Sequence, residues 1–346
     1  MSNPKTKRLE YIDVMRAFTM FLVVMQHVDS FVMSGFNSPV YKVLLLIRMP
    51  MFFFISGYIG YKALNEWTHS FYVQRLRKKA FVQLIPATIF FLLYSLVFGI
   101  NPWSTFSANG FERYRFTYVL FYMFVIYYSV SVLMRKLRCS STTQLLLLIM
   151  VSLPMWLLFV QCARHGVKWG LLSQLHIDRL CHYFIFFVIG LLCRHHLSLF
   201  HRLISHWAGI GVVLLCFACC LALIFTPWLT TRAPSIINYG IQMLVVCQLG
   251  IFLVYYCFYR LRHVLANGSK LSRGLAFAGR RTLDVYLMHY FFLAPLTKIH
   301  ITSGPLYVLT SVSITLCVYL LCLCVSRVIR ISPTLAHWML GAKKEG

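Results

Sequence analysis

Apolar residues along this chain fall into runs of about 20, the length that crosses the roughly 30 Å hydrocarbon layer of a bilayer as an α-helix. Polar residues collect between them. The runs lie near 13–34, 41–63, 80–100, 116–134, 143–161, 179–193, 207–226, 236–258, 282–298 and 305–326, and they predict an all-α polytopic membrane bundle of ten helices. The connectors alternate in character. After the second, fourth, sixth and eighth runs come Arg75-Leu76-Arg77-Lys78-Lys79, Arg135-Lys136-Leu137-Arg138, Arg194-His195-His196 with His201-Arg202, and Arg260-Leu261-Arg262-His263 through Arg280-Arg281, and both termini are basic too. Connectors after the odd runs are poorer in Lys and Arg and richer in Gly, Pro, Ser, Thr and Trp. Because Lys and Arg accumulate on the cytoplasmic side, this alternation predicts that both termini are cytoplasmic. No connector exceeds about 20 residues, too few to bury a core of its own, so 1–346 is expected to be a single integral-membrane domain.

Composition agrees with that reading. The 346 residues are 60% hydrophobic and 12% charged, with a mean hydropathy of +0.73, which excludes an ordinary soluble domain. The net charge of +25 suggests nucleic acid in a soluble protein. Here the basic residues sit in connectors, so they speak of topology against membrane lipids, and no nucleic-acid partner is expected. Lys5, Lys7 and Arg8 before an apolar run resemble a signal peptide, but the run is too long and offers no small-residue cleavage site, so it reads as a retained first helix. The 12 cysteines are scattered, and Cys216, Cys219 and Cys220 have no second pair at metal-site spacing, so neither a disulfide framework nor a metal is expected. There is no phosphate loop and no dinucleotide fingerprint. Only eight residues are acidic, a poor supply for a two-carboxylate mechanism.

The stretch from Asp13 to Gly60 departs from the apolar pattern in an informative way. On a helix, the eleven residues from Arg16 to His27 advance about 1,100°, which places both side chains on one face about 16 Å apart. Asp13, one turn before Arg16, falls on the same stripe and can hold it by an ion pair. Asp29 lies about 200° from His27 and does not form a dyad with it. Ionisable groups at membrane depth face a protein interior or a wet cavity and mark a site or a pathway. Arg48 lies about 10 Å into the second run, at a depth close to that of His27, so the two are expected to meet in one cavity. Pro50 frees a backbone carbonyl one turn back. Read as one unit, Arg16 and His27 are expected to face a shared, hydrated interior chamber.

Four segments resemble the acyltransferase-3 family of integral-membrane enzymes. Arg16 and His27 are similar to that family's Arg and His signature in the first helix. Arg48-Met49-Pro50-Met51-Phe52-Phe53-Phe54-Ile55-Ser56-Gly57-Tyr58 resembles its second-helix segment ending in Phe-Phe-x-x-Ser-Gly. Arg75-Leu76-Arg77 followed by Pro86 resembles its basic Arg-x-Arg motif. Gly279 and Thr282-Leu283-Asp284-Val285-Tyr286-Leu287-Met288-His289 resembles its late motif. Phe121-Tyr122-Met123 stands where the family often has Trp-Phe-Leu. The resemblance implies ten helices with cytoplasmic termini and transfer of an acyl group, usually acetyl, from acyl-coenzyme A to a carbohydrate.

The residues suit that chemistry. A neutral hydroxyl is a poor nucleophile, and His27, with an imidazole that titrates near neutrality, is the side chain on its helix able to take its proton. The alternative is that His27 carries the acyl group transiently. Arg16 is expected beside it, neutralising donor charge or ordering the cavity. Arg48, Arg75, Arg77, Tyr286 and His289 are expected to hold acetyl-CoA, with Arg75, Arg77, Lys78 and Lys79 at its acidic nucleotide end. Thr282, Tyr286 and His289 form one polar stripe at i, i+4 and i+7, either lining the cavity or bonding neighbouring helices. His176, Asp178, Arg179 and His182 gather where an exported carbohydrate or glycolipid acceptor approaches. The competing class is a transporter or flippase for an anionic or glycolipid substrate. The expected location is the cytoplasmic (inner) membrane.

Overall fold

The computed structural model describes residues 9–36, 41, 45–225, 241–265 and 268–342. Helices dominate. In chain order they are α1 (Glu10–Phe31), α2 (Arg48–Gly60), α3 (His69–Val97), α4 (Pro102–Asn109), α5 (Arg115–Lys136), α6 (Ser141–Arg164), α7 (Leu171–Gln174), α8 (Ile177–His195), α9 (Leu197–Ser205), α10 (Trp207–Phe225), α11 (Cys247–Arg260), α12 (Arg262–Leu265), α13 (Lys270–Arg280), α14 (Thr282–Leu293), α15 (Gly304–Ile329) and α16 (Pro333–Leu340). Ile241–Val246 forms a π-helical turn leading into α11. The protein is an all-α, multi-pass membrane protein.

Each apolar run contains helix, but the helices differ in reach. Among the described residues, α3, α5, α6 and α15 are long and apolar enough to cross a membrane alone, and α8 with α9 makes a fifth if that pair, bent by 94°, is one span. By contrast α2 has 13 residues and α14 has 12, about 20 Å of rise each against a hydrocarbon layer of roughly 30 Å. Both are interior helices. Pro50 to Ile55, Gly57 and Tyr58 are buried in α2, and nine of the residues of α14 are buried, so neither needs to match the bilayer's thickness. Parts of the runs expected at 41–63, 207–226 and 236–258 lie outside the described residues.

Two helix seams set the interior. At the first, α2 and α8 meet backbone to backbone: a Cβ on Gly57 would overlap the carbonyl oxygen of Phe187, and one on Gly190 would overlap that of Phe54. Small residues at such crossings let helices approach where lipid supplies no hydrophobic drive between them. At the second, a Cβ on Gly279 of α13 would overlap the carbonyl oxygen of Asp13 on α1. That close approach fixes the polar stripe of α1 against the neighbouring α14.

One feature departs from an all-helical expectation. Met33–Ser34 (β1) and Ile299–His300 (β2) pair in parallel, and the Ile299 N–H donates to the Val32 carbonyl at 2.7 Å. The run expected to stay helical to 298 stops at Leu293. Ala294 still has helical geometry and donates its N–H to the Tyr290 carbonyl, but Pro295 has no N–H to continue the ladder, and the chain turns there.

Candidate active site

Among the described residues, two cavities are bordered by the polar stripes of α1 and α14. Call the end at which α1 and α3 begin the near end, and the end at which α2, α5 and α8 begin the far end. The near cavity, of about 340 Å³, is bounded by Arg16, Ser56, Lys62, Arg75, Lys79 and Thr282 among others. The far cavity, of about 180 Å³, is bounded by His27, Arg48, Arg113, Arg115, Arg179, Tyr183 and Tyr290 among others. Phe116 and Tyr286 border both, and form the partition between them.

On the near side, Arg16 Nη2 donates to Thr282 Oγ1 at 3.0 Å and its Nη1 lies 3.7 Å from Asp13 Oδ1. Asp13 is buried. The carboxylate and the threonine hold the guanidinium at the cavity wall, and the ion pair expected from the one-turn spacing is present. The Lys79 ammonium stands 3.7 Å over the Phe124 ring, and the Arg75 guanidinium 4.7 Å over Phe71, so aromatic faces help to keep both cations in place. Arg77 and Lys78 are exposed and do not border the cavity.

On the far side, His27 Nε2 and the Tyr290 hydroxyl are 3.0 Å apart. The His289 ring centroid lies 5.1 Å from that of His27. His289 itself is fully buried and borders neither cavity. Its Nδ1 is 3.1 Å from the Val285 carbonyl oxygen; because a carbonyl only accepts, Nδ1 carries the hydrogen and Nε2 is left as a bare acceptor. That Nε2 has no hydrogen-bond partner. The Tyr286 hydroxyl donates to the Arg113 carbonyl at 3.0 Å and accepts from the Phe116 N–H at 3.2 Å, pinning the start of α5 to α14.

The residues brought together differ from the sequence reading in one respect. Arg16 and His27 both face the interior from one stripe of α1, but they do not share a chamber: Arg16 borders the near cavity and His27 the far one. The bulky Phe116 and Tyr286 fill the space between. His27 and Arg48 do meet in one cavity, which separates Arg48 from Arg75 by the partition. Asp29 turns aside to accept a hydrogen bond from the Tyr307 hydroxyl. Of the far-end cluster, Arg179 borders the cavity, His176 and Asp178 are buried beside it, and His182 is stacked between Phe159 at 4.4 Å and Tyr183 at 4.2 Å. Burial, with Arg115 and Arg179 nearby, pushes the His176 imidazole down to about 4, so it stays neutral.

Residues 9–330 match the acyltransferase-3 family, described as an acyltransferase domain. The chain belongs to that family. No curated protein and no solved structure matches it. The match covers nearly all of the helical bundle, so this membrane acyltransferase carries its family's domain from α1 through the end of α15. Its sequence alone did not single out Arg113, Arg115 or Tyr290. A signal existed for each: the two arginines interrupt a connector class otherwise poor in positive charge, and Tyr290 lies four residues beyond Tyr286, roughly on the same face of α14. Nor did it reveal that Asp284 clamps α14 to α15, with Arg330 Nη2 at 2.8 Å and Nε at 3.1 Å and the Ser326 hydroxyl at 2.5 Å.

Proposed function

We propose that this acyltransferase moves an acetyl group from acetyl-CoA to a hydroxyl of a cell-surface or lipid-linked carbohydrate. It works in the cytoplasmic membrane, its helices crossing ten times with both termini cytoplasmic. The observation that carries this reading is the pair of neighbouring cavities, a basic one at the near end and one holding an imidazole at the far end, with Phe116 and Tyr286 bordering both. Acyl-CoA enters from the near end. Arg75 and Lys79 take its acidic nucleotide end, and Arg16 stands deeper along the path of the thioester arm.

The acceptor hydroxyl comes to His27 from the far side. The imidazole takes the hydroxyl proton as the oxygen attacks the thioester carbonyl carbon; the tetrahedral adduct then collapses, the carbon–sulfur bond breaks, and the proton leaves with the coenzyme A thiolate. Transfer in one step requires the thioester to reach the partition, which is why Tyr286, touching both cavities, belongs to the donor's path. The Tyr290 hydroxyl orients the His27 ring, and the buried Nε2 of His289 stands behind it as a second acceptor for positive charge.

The test is incorporation of labelled acetate from acetyl-CoA into carbohydrate by membranes holding the wild-type chain or His27→Ala. General bases contribute about 10²- to 10⁴-fold, so the variant is expected to lose at least two orders of magnitude while inserting and folding normally. An equally active His27→Ala protein sinks the assignment.

A further inference from the structure

The far cavity is more positive than base catalysis requires. Arg48, Arg113, Arg115 and Arg179 all border it together with His27, and among the described residues Asp178, 3.3 Å from Arg179, is the carboxylate paired with any of them. This charge sits at the end whose connectors are otherwise poor in Lys and Arg. Anchoring to the membrane surface therefore does not account for it.

The helix ends sharpen the point. Arg48 opens α2, Arg115 opens α5, and Arg179 stands in the first turn of α8. Cations are disfavoured at a helix N-terminus, where the dipole is positive and N–H groups lack intrahelical acceptors. In addition the Nε of Arg113 is buried with no hydrogen-bond partner. Four guanidinium groups converging on one small space, three of them at helix N-termini where cations are disfavoured, break the local rules in the same direction, and an oxyanion in that space offsets their charge.

The geometry points to an anionic acceptor: the carbohydrate that receives the acyl group carries a carboxylate or phosphate that binds among Arg48, Arg113, Arg115 and Arg179 while its hydroxyl meets His27. This rests on the acyl-transfer reading above for the hydroxyl, but the anion site stands on its own geometry. At about 180 Å³ against 340 Å³, the far cavity suits one charged sugar unit better than the nucleotide end of coenzyme A. The anion is either an acidic sugar's own carboxylate or the phosphate that links a sugar to a lipid.

Full-length protein in lipid vesicles decides it, given acetyl-CoA and three acceptors: an oligosaccharide of an acidic sugar, the same oligosaccharide with its carboxyl groups reduced to alcohols, and a neutral oligosaccharide on a diphosphate-linked lipid. The acidic or the diphosphate-linked acceptor is expected to show a KM at least 10-fold below that of the reduced one, and the one that does so names the source of the charge. Arg115→Gln and Arg179→Gln are expected to raise the acceptor KM about 10-fold and leave the acetyl-CoA KM unchanged, and Arg164→Gln, an exposed far-end arginine, to change neither. Equal use of the reduced acceptor, or a rise in the acetyl-CoA KM instead, overturns the proposal. Binding of the three fluorescently labelled probes to His27→Ala protein separates it from the catalytic reading. Anion-selective binding without any transfer by the wild type leaves the site standing and removes the acyltransfer assignment. Unselective binding, or none, removes the site.

Discussion

Replacing Tyr286 by Phe removes one oxygen atom from the partition and leaves the ring that divides the two cavities. That oxygen donates to the Arg113 carbonyl at 3.0 Å and accepts from the Phe116 N–H at 3.2 Å. Two backbone groups at the start of α5 lose their partner together. A typical net hydrogen bond contributes about 0.5–1.5 kcal/mol, and an orphaned buried group costs about 1–3 kcal/mol. Phe116 and Arg113 both border cavities, so solvent offsets part of the cost, and about 2 kcal/mol is the expected total. The functional consequence is local: residues 113–116 carry Arg113 and Arg115, so a loosened α5 start misplaces far-cavity arginines and leaves Arg16 and Arg75 where they are. Equilibrium unfolding in mixed micelles reads the first effect. Steady-state kinetics reads the second, as an acceptor KM raised several-fold with the acetyl-CoA KM within twofold of wild type. A Tyr286→Phe protein with unchanged stability and both KM values unchanged refutes the idea that this hydroxyl holds α5 in register with α14.

Other substitutions address separate parts of the structure. Gly57→Ala is expected to destabilise by about 1–3 kcal/mol through overpacking against the Phe187 carbonyl; wild-type stability in the same micelle titration counts against the seam between α2 and α8. Asp284→Asn strips the clamp on a 20% exposed Arg330 side chain and is expected to cost about 3 kcal/mol, a value that should fall well below additivity when combined with Arg330→Met; simple additivity of the two single changes shows the clamp to be idle. His176 stays neutral when folded, with its pKa pushed down from 6.5 to about 4, so below pH 6.5 the unfolded chain binds the extra proton. Folding stability therefore drops by up to about 1.4 kcal/mol per pH unit toward pH 4, and the effect vanishes above 6.5. His176→Asn, which tolerates the positive φ of 58° at that position, should flatten that slope, and an unaltered slope assigns the acid sensitivity elsewhere.

Much of the interior is legible in the sequence because helices repeat at a fixed angle. The stripe of Asp13, Arg16 and His27 on α1 and the stripe of Thr282, Tyr286 and His289 on α14 follow from spacing alone, and the structure turns both stripes inward. Element limits are less legible. Residues 69–79 belong to α3, yet they read as a polar connector, because hydropathy removes Arg75 to Lys79 from the bilayer while their backbone propensity is helical and Thr68 caps the start. The bend of 94° between α8 and α9 occurs at His195-His196, inside what reads as an ordinary basic connector. The far cavity is the least legible part. Its four arginines come from three separated stretches, joined only when α2, α5 and α8 pack with their N-termini together. No periodicity within one helix carries that information.

The partition explains why Arg16 and His27, expected in a single shared chamber, border separate cavities. A chamber open from Arg16 to His27 would put the cations of the near cavity and those of the far cavity in one water-filled space, and water would run between the two ends of the bundle. Phe116 and Tyr286, two aromatic side chains that border both cavities, stand in the way. On the proposed reading, the only group that has to pass is the uncharged acyl group, which an aromatic gate admits, whereas the phosphates of the donor are held back by Arg75 and Lys79 and the oxyanion of the acceptor by Arg115 and Arg179. Enlarging the gate should therefore uncouple the two halves. Tyr286→Ala is expected to raise hydrolysis of acetyl-CoA in the absence of acceptor several-fold, as water reaches the thioester, and to lower transfer to carbohydrate. The measurement is free thiol released against acetate incorporated; a variant in which the two still rise and fall in equal amounts shows that the barrier between the cavities lies elsewhere.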